Sequence, residues 1–457
     1  MSGIMNIGVG ALQANQSALQ TVGNNIANVN TPGYSRQQVI LQNLPGQFSG
    51  SGFYGKGVDV QTVTRIYSEF LTKQAAVSKS VAASDSTRAD SMSQLENLFP
   101  GGADGLGASV SDMLNSFSDI TNSPTDLTAR TVVLSRAADM ATRFRSTDTQ
   151  LNELKLGTIS QLKTDATAIN SLASQIARAN DEIARALGSG HSPNDLLDQR
   201  DQLIRDLNKY VQTTNIRADD GSIGVFLASS QPLVLGTTVS PVSIVNDPFN
   251  DPAKSKLAIT VAGSTSVIDE SMLGGGEVAG LLRFQNTDLV AAGNLLGRMA
   301  LAIGTKMNEQ QTLGLDLSGN AGTALFNLSS IPGGFAATTN TGATALSVSV
   351  QTAPSGTTAL IASDYEFSFT TATTGNITRL SDGVVTAFDF GATNPVQIDG
   401  LNITKSAGAP APRPRLPRPP YPAPHAHLSP PPPSPPHPPP PPPRPPRPSP
   451  RPPPPHP

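Results

Sequence analysis

Apolar residues recur every seven positions in four separate stretches of the chain, with polar residues filling the faces between them. In the first stretch Met5, Leu12, Leu19 and Ile26 form one row, and Val22 and Val29 lie on the row beside it. This spacing predicts an amphipathic helix with a single apolar stripe. Its other faces are Asn, Gln, Ser and Gly, and the first charged residue of the chain is Arg36. A lone helix cannot bury such a stripe. The pattern therefore calls for a partner helix, neighbouring copies or the helix's own domain.

The second stretch carries Leu162, Ile169, Ile176 and Ile183, with Ile159, Ala166, Ala173 and Leu187 on a companion row. These rows predict a seam of coiled-coil type. It lies in a helix that starts at "SPTDL" and covers residues 124–187. Pro124 just inside the start and Asp126 in the first turn suit a helix N-terminus. Unbroken, that segment approaches roughly 90 Å, with Gly157 its weakest point. The turn "GSGHSPN" then leads into Leu196, Leu203 and Tyr210 on one row and Leu197, Ile204 and Val211 on the next. So short a turn implies an antiparallel helix pair. The fourth row, Leu282, Leu289, Leu296 and Ile303, begins after Glu277 and is expected to close the bundle.

Between these stretches the period changes. Residues 38–67 alternate weakly and are broken by glycines ("GQFSGSGFYGKGVDVQTV"), which predicts turns and short strands. A helix resumes near Tyr67 and stops at "PGGADG". Residues 215–276 are short β-like runs, and a Thr- and Gly-rich β-like region with "DYEFSFT" and "GVVTAFDF" covers residues 323–406. The expected fold class is mainly α with β insertions: long heptad helices forming a bundle, two β-rich regions and a disordered tail. The expected divisions are an N-terminal helix and turn (1–37), a helical core (38–214), a β insertion (215–276), a helix returning to the bundle (277–322), an outer β domain (323–409) and the tail (410–457).

Composition adjusts this picture. Aromatics are 5% of the 457 residues and Trp is absent, so cores should be thin and aliphatic. Cysteine is absent, which removes disulfides and thiolate chemistry. All 34 acidic residues precede Pro410 and six Arg follow it, so the body carries a net charge of −9 and argues against a nucleic-acid partner. Residues 410–457 hold 29 of the 41 prolines. Such a segment forms extended or polyproline II chain with almost nothing to bury. No run approaches the length of a membrane span. The N-terminus lacks the basic and apolar regions of a secretory signal, which fits a cytoplasmic protein or one exported without a cleaved signal.

Chemistry is sparse. Four of the five His lie in the proline tail, and His191 stands alone in a turn. No nucleophile elbow, phosphate loop or zinc spacing occurs. Asp181–Glu182, and Asp195, Asp198 and Arg205, read as solvated charged faces with local ion pairs. "NDPFNDP" (246–252) resembles a calcium loop but lacks its Gly and terminal Glu. No catalytic residue, metal ligand or cofactor is expected.

The segment that ends the first helix is more specific. "NNIANVNTPGYSRQ" (24–37) resembles the N-terminal motif of bacterial flagellar rod, hook and hook-associated proteins, in which a heptad helix precedes a turn. The motif positions are Asn28, Asn30, Thr31, Pro32, Gly33 and Tyr34. "PTDLTARTVVLSRAADMATRF" (124–144), "NDLLDQRDQLIRDLNKYV" (194–211) and the segment 274–322 narrow the resemblance to the hook-associated branch, the first hook–filament junction proteins.

The resemblance implies a structural, non-enzymatic subunit of an extracellular flagellum. Such subunits pass through the type III export channel and self-assemble. The implied partners are copies of itself, the hook protein, the second junction protein and an export chaperone. The stripe Met5, Leu12, Leu19, Val22, Ile26 and Val29 would be the assembly interface. Another rod or hook axial protein remains an alternative on the turn motif alone, as does a secreted adhesin on the Thr-rich β regions.

In this family a C-terminal amphipathic helix pairs with the N-terminal one and carries the chaperone site. Here "GLNITKSAGAPAP" gives way to the proline tail instead. A change of reading frame near Ala411 would account for the sudden loss of acidic residues, as a hypothesis. The coding DNA tests this: a single-base shift near that codon should restore an amphipathic helix, and failure to do so rejects it.

Overall fold

A computed structural model of the chain describes residues 2–405 except 49, 51, 189–191, 229, 250, 329–330, 332–333, 340–343 and 352–355, together with residues 428–429. His191 and the proline tail, apart from residues 428–429, lie outside the described residues.

The N-terminal helix α1 (Ser2–Ala27) leads into strand β1 (Gln37–Asn43), a small hairpin of β2 (Gln47–Phe48) and β3 (Phe53–Tyr54), and strand β4 (Val58–Arg65). β1 and β4 pair antiparallel, from Gln37 opposite Arg65 to Asn43 opposite Val58. Helices α2 (Glu69–Asn97), α3 (Leu106–Asn122), α4 (Leu127–Gly188) and α5 (Asn194–Tyr210) follow. α4 is continuous for 62 residues, about 93 Å. Gly157 does not break it. Its start falls three residues later than the expected one: Asp126 precedes the helix, and its carboxylate accepts a hydrogen bond from the Thr128 N–H (2.8 Å). The acidic side chain therefore caps the exposed amides rather than sitting within the first turn.

The first β region contains a four-stranded antiparallel sheet, β5 (Thr213–Arg217), β6 (Ile223–Leu227), β7 (Gln231–Leu235) and β8 (Thr238–Val239), paired in chain order. A three-stranded sheet follows from β9 (Val242–Asn246), β10 (Ser255–Val261) and β11 (Ser264–Ile268), with β10 central. Helix returns as α6 (Glu277–Arg283), a π-helical turn (Phe284–Asp288) and α7 (Leu289–Thr312). After β12 (Asn327–Leu328), the outer region forms two further antiparallel sheets. One places β18 (Leu401–Lys405) between β13 (Leu346–Val350) and β17 (Val396–Ile398). The other places β15 (Thr374–Arg379) between β14 (Tyr365–Phe369) and β16 (Val385–Asp389).

The heptad row of α4 is buried, but not in one helix–helix seam, whereas the row of α1 is exposed. Leu162, Ile169, Ile176 and Ile183 are fully buried. The first three pack in one core with Ile204 and Leu207 of α5 and with Val225, Leu233, Leu257 and Ile259 of the sheets. A β layer thus covers a stripe with coiled-coil spacing. Near its start α4 joins a second core, where Met140 and Phe144 meet Leu296 and Leu301 of α7 and Phe367 and Phe388 of the outer sheets. Between them Leu151 packs with Leu95, Phe284 and Leu289. The row Leu282, Leu289 and Leu296 therefore serves three cores in turn. Of the two β-like outer segments, "DYEFSFT" alternates as expected, whereas Val384 and Val385 of the other are exposed and only its Phe388 and Phe390 are buried.

Helix α6 packs closely on α2 and on the end of α5 through small residues. A Cβ on Gly280 would stand 2.4 Å from the Ser84 carbonyl oxygen, and one on Gly276 would stand 2.4 Å from the Tyr210 carbonyl oxygen. Gly276 also has φ +96°, whereas Gly263 has φ +82° in open space. Gly276→Ala should therefore lower stability by about 2–4 kcal/mol, and Gly263→Ala by about 1–2 kcal/mol, from backbone strain alone. Chemical denaturation of the two variants measures the difference.

Candidate functional site: the N-terminal helix and its docking turn

α1 contains no acidic residue in its first turn and no basic residue in its last. Its stripe is uncovered: Met5, Leu12, Leu19, Val22, Ile26 and, just beyond the helix, Val29 are 52–74% exposed. The opposite face is the docked one. Ala14 and Thr21 are buried, and a Cβ on Gly10 would meet the Val58 carbonyl oxygen at 3.1 Å. The small residues between the apolar rows therefore let α1 lie against β1 and β4 while the apolar residues face outward.

The turn after α1 is built from hydrogen bonds that its sequence allows. The Tyr34 N–H donates to the Thr31 carbonyl (3.2 Å), closing a turn with Pro32 second and Gly33 third. Gly33 has φ +87°. Pro presets the second position of a type II turn, and its third position requires positive φ. Asn28 Nδ2 donates to the Asn24 carbonyl (3.0 Å) and Oδ1 (2.8 Å), and Thr31 Oγ1 donates to Asn28 Oδ1 (3.2 Å). Asn30 is exposed.

Asn25 joins helix to strand. Its Nδ2 donates to the Gln37 carbonyl (2.8 Å), and its Oδ1 accepts from both the Gln37 N–H (2.8 Å) and the Tyr34 hydroxyl (2.8 Å). One amide side chain thus satisfies both backbone groups of Gln37. Partial burial, and then Asp195 and Asp198, raise the Tyr34 pKa above its ordinary value, which keeps its hydroxyl a donor.

The turn rests on α5. A Cβ on Gly33 would stand 3.0 Å from both Arg205 Nη2 and Gln202 Oε1. The Ser35 N–H donates to Asp198 Oδ2 (2.8 Å), Gln37 Nε2 to Asp195 Oδ1 (3.3 Å), and Asn194 Nδ2 to the Val63 carbonyl (2.8 Å). Arg65, at the end of β4, places Nη1 2.8 Å from Asp198 Oδ1 and 2.7 Å from Asp201 Oδ2. Its guanidinium lies 4.4 Å from the Tyr67 ring centre. Behind it, Arg200 is fully buried and donates from Nη1 to Asn180 Oδ1 (3.1 Å) and the Gly221 carbonyl (2.7 Å). Burial pulls its pKa down to about 10, so it stays charged at neutral pH.

This corrects the reading of α5 as a solvated charged face. Asp195 is exposed and Arg205 half-buried, but Asp198 is buried against Arg65 and the turn. The sequence carried the signal: Asn194, Asp198, Asp201, Arg205 and Asn208 follow helical spacing on one face, as consistently as the apolar rows do. Asn24, Asn25 and Arg65 had no such periodicity to reveal them.

Other candidates resolve into local structure. Asp181 pairs with Arg185 one turn on. In "NDPFNDP", Asp247 accepts from the Phe249 N–H (2.6 Å) and Asp251 from the Ala253 N–H (2.9 Å). Among the described residues, no three or more His, Cys, Asp or Glu gather to hold a metal, and no helix is long and apolar enough to cross a membrane.

Comparison with known proteins gives this arrangement its class. Residues 5–34 match the flagella basal body rod protein family. Residues 92–326 match the flagellar hook-associated protein FlgK helical domain, and residues 335–413 a D2-like domain of flagellar hook-associated protein 1. The chain is 33% identical over 412 residues to the flagellar hook-associated protein 1 of Salmonella typhimurium, covering 90% of this chain and 73% of that protein. It is 31% identical over 407 residues to that of Escherichia coli, covering 88% and 73%. The structure of the flagellar hook junction protein FlgK from Burkholderia pseudomallei superposes with a TM-score of 0.67 at 29% identity, covering 78% of this chain and 66% of that one. The molecule is thus of the structural flagellar class. The chain belongs to the flagellar hook-associated protein 1 family, and as such is a structural subunit of the hook–filament junction.

The ion pairs of Arg65 set the strength of the docking. Arg65→Met would leave Asp198 and Asp201 buried without their cation, and loss of one partner from such a pair costs about 3–5 kcal/mol. A urea denaturation midpoint lowered accordingly is expected. Unchanged stability would remove Arg65 from the docking.

Proposed function

We propose that the stripe Met5, Leu12, Leu19, Val22, Ile26 and Val29 is the interface through which copies of this chain assemble. The carrying observation is an uncharged helix whose large apolar stripe faces solvent while its opposite face is docked on the subunit's own body. At about 1.5–3 kcal/mol per buried aliphatic side chain, these six residues offer on the order of 10 kcal/mol when covered. The turn Asn28, Asn30, Thr31, Pro32, Gly33 and Tyr34 sets the direction in which the stripe leaves the body.

The family membership supports flagellar components as partners. The specific ones we propose are copies of itself, the hook protein and the second junction protein. The location proposed is the extracellular hook–filament junction, reached by export without a cleaved signal peptide. No enzymatic step is part of this reading. The expected divisions of the chain enter it as working units: stripe and turn for assembly, helices and first β region as the body, and the second β region outermost.

A deletion strain complemented by a relative of the family provides the test. Substituting that relative's counterparts of Leu12 and Leu19 by Asp should leave the thermal midpoint of the purified subunit unchanged. Hooks should form normally while filament subunits leak into the medium. Normal filaments with both charges in place would reject the stripe as the interface.

A further inference from the structure

Asp165 lies on α4 inside the first core, between Leu162 and Ala166, and is 1% exposed. Its Oδ1 accepts from Gln161 Nε2 (2.9 Å), but its Oδ2 has no hydrogen-bond partner. A buried carboxylate oxygen without a donor is costly when ionised. The charged groups around it come from two other helices. Glu277, in the first turn of α6, acts on it as a like charge, and Lys209 of α5 as the opposite one. Lys209 Nζ lies 3.2 Å from Glu277 Oε1 and is therefore committed to that carboxylate. On the neighbouring α2, Lys79 faces Asp206 at 3.7 Å. With Asp165 ionised, the group of three holds two negative charges against one positive. With Asp165 neutral, it balances.

We propose that Asp165, Glu277 and Lys209 form a proton-linked latch joining α4, α5 and α6, closed when Asp165 is neutral and loosened when it is ionised. Burial, and then Glu277, hold the folded-state pKa of Asp165 at about 6, above its ordinary value of 3.8. The sign follows directly. A carboxyl that binds its proton more tightly when folded adds stability as pH falls through 6, in full below 3.8, and that stability is lost as pH rises through 6. The span between those values corresponds to roughly a 100-fold change in the closing equilibrium. The latch sits where Gly275 and Gly276 bring α6 against α2 and the end of α5, so loosening it frees the point at which the chain returns from the first β region. Neither the stripe of α1 nor its docking turn takes part, so this inference stands apart from the assembly reading.

Hydrogen exchange on the full chain tests it, with rates corrected for the intrinsic pH dependence of exchange. Between pH 5 and 7.5, amides of residues 205–212 and 275–284 should lose roughly 10-fold protection, while those of β14–β16 keep theirs. Asp165→Asn should hold the high-protection state across that range. Glu277→Gln should move the transition to lower pH. Protection independent of pH in the unsubstituted chain, or the same slope in Asp165→Asn, overturns the latch. A transition left in place by Glu277→Gln does so too.

Discussion

All three hydrophobic cores of the described chain draw on a face of α4. That one continuous helix is the constraint on which the remaining architecture depends. It holds the first β region near one end and the outer β sheets near the other. α7 runs beside it and shares the second core. Because backbone hydrogen bonds run unbroken along α4, separation between the β regions is set by rise per residue rather than by loops. The first core is aliphatic, but the second departs from that expectation by gathering Phe144, Phe326, Phe367, Phe388 and Phe390.

The N-terminal unit follows a different rule. Its docking is polar and its outward face is apolar, the reverse of a helix folded into its own domain. Asn25, the turn at Pro32–Gly33, and the pairing of Arg65 with Asp198 and Asp201 specify position through directional bonds. The nondirectional hydrophobic contribution is left unspent on the subunit itself. This division fixes the orientation of the exposed apolar face relative to the body of the subunit.

Sequence periodicity revealed the helices well, because rows such as Leu162 to Ile183 are long and regular. It could not identify what covered them. A β sheet and a partner helix present equally apolar surfaces to an isoleucine, so the seam of coiled-coil type was indistinguishable from a helix–sheet core. The polar face of α5 was read as solvated because charged residues at helical spacing are usually outside. Its burial depends on Arg65 and Ser35, each more than 130 residues away in the chain. The turn motif was legible because Pro and Gly act locally, through their own backbone angles. Asn25 was not, since its bonds to Gln37 span a change of direction.

The π-helical turn at Phe284–Asp288 has a consequence for how the molecule is set. Arg88 clamps it through two bonds to Asp288, at 2.8 and 2.9 Å. Such a turn carries one residue more than α-helix, and one residue on a helix is about 100° of rotation. Without that residue, Leu296 and Leu301 would swing away from Met140 and Phe144. The angular bearing of the outer sheets about the long arm is therefore indexed by a single inserted amino acid, as a key fixes a wheel on its shaft.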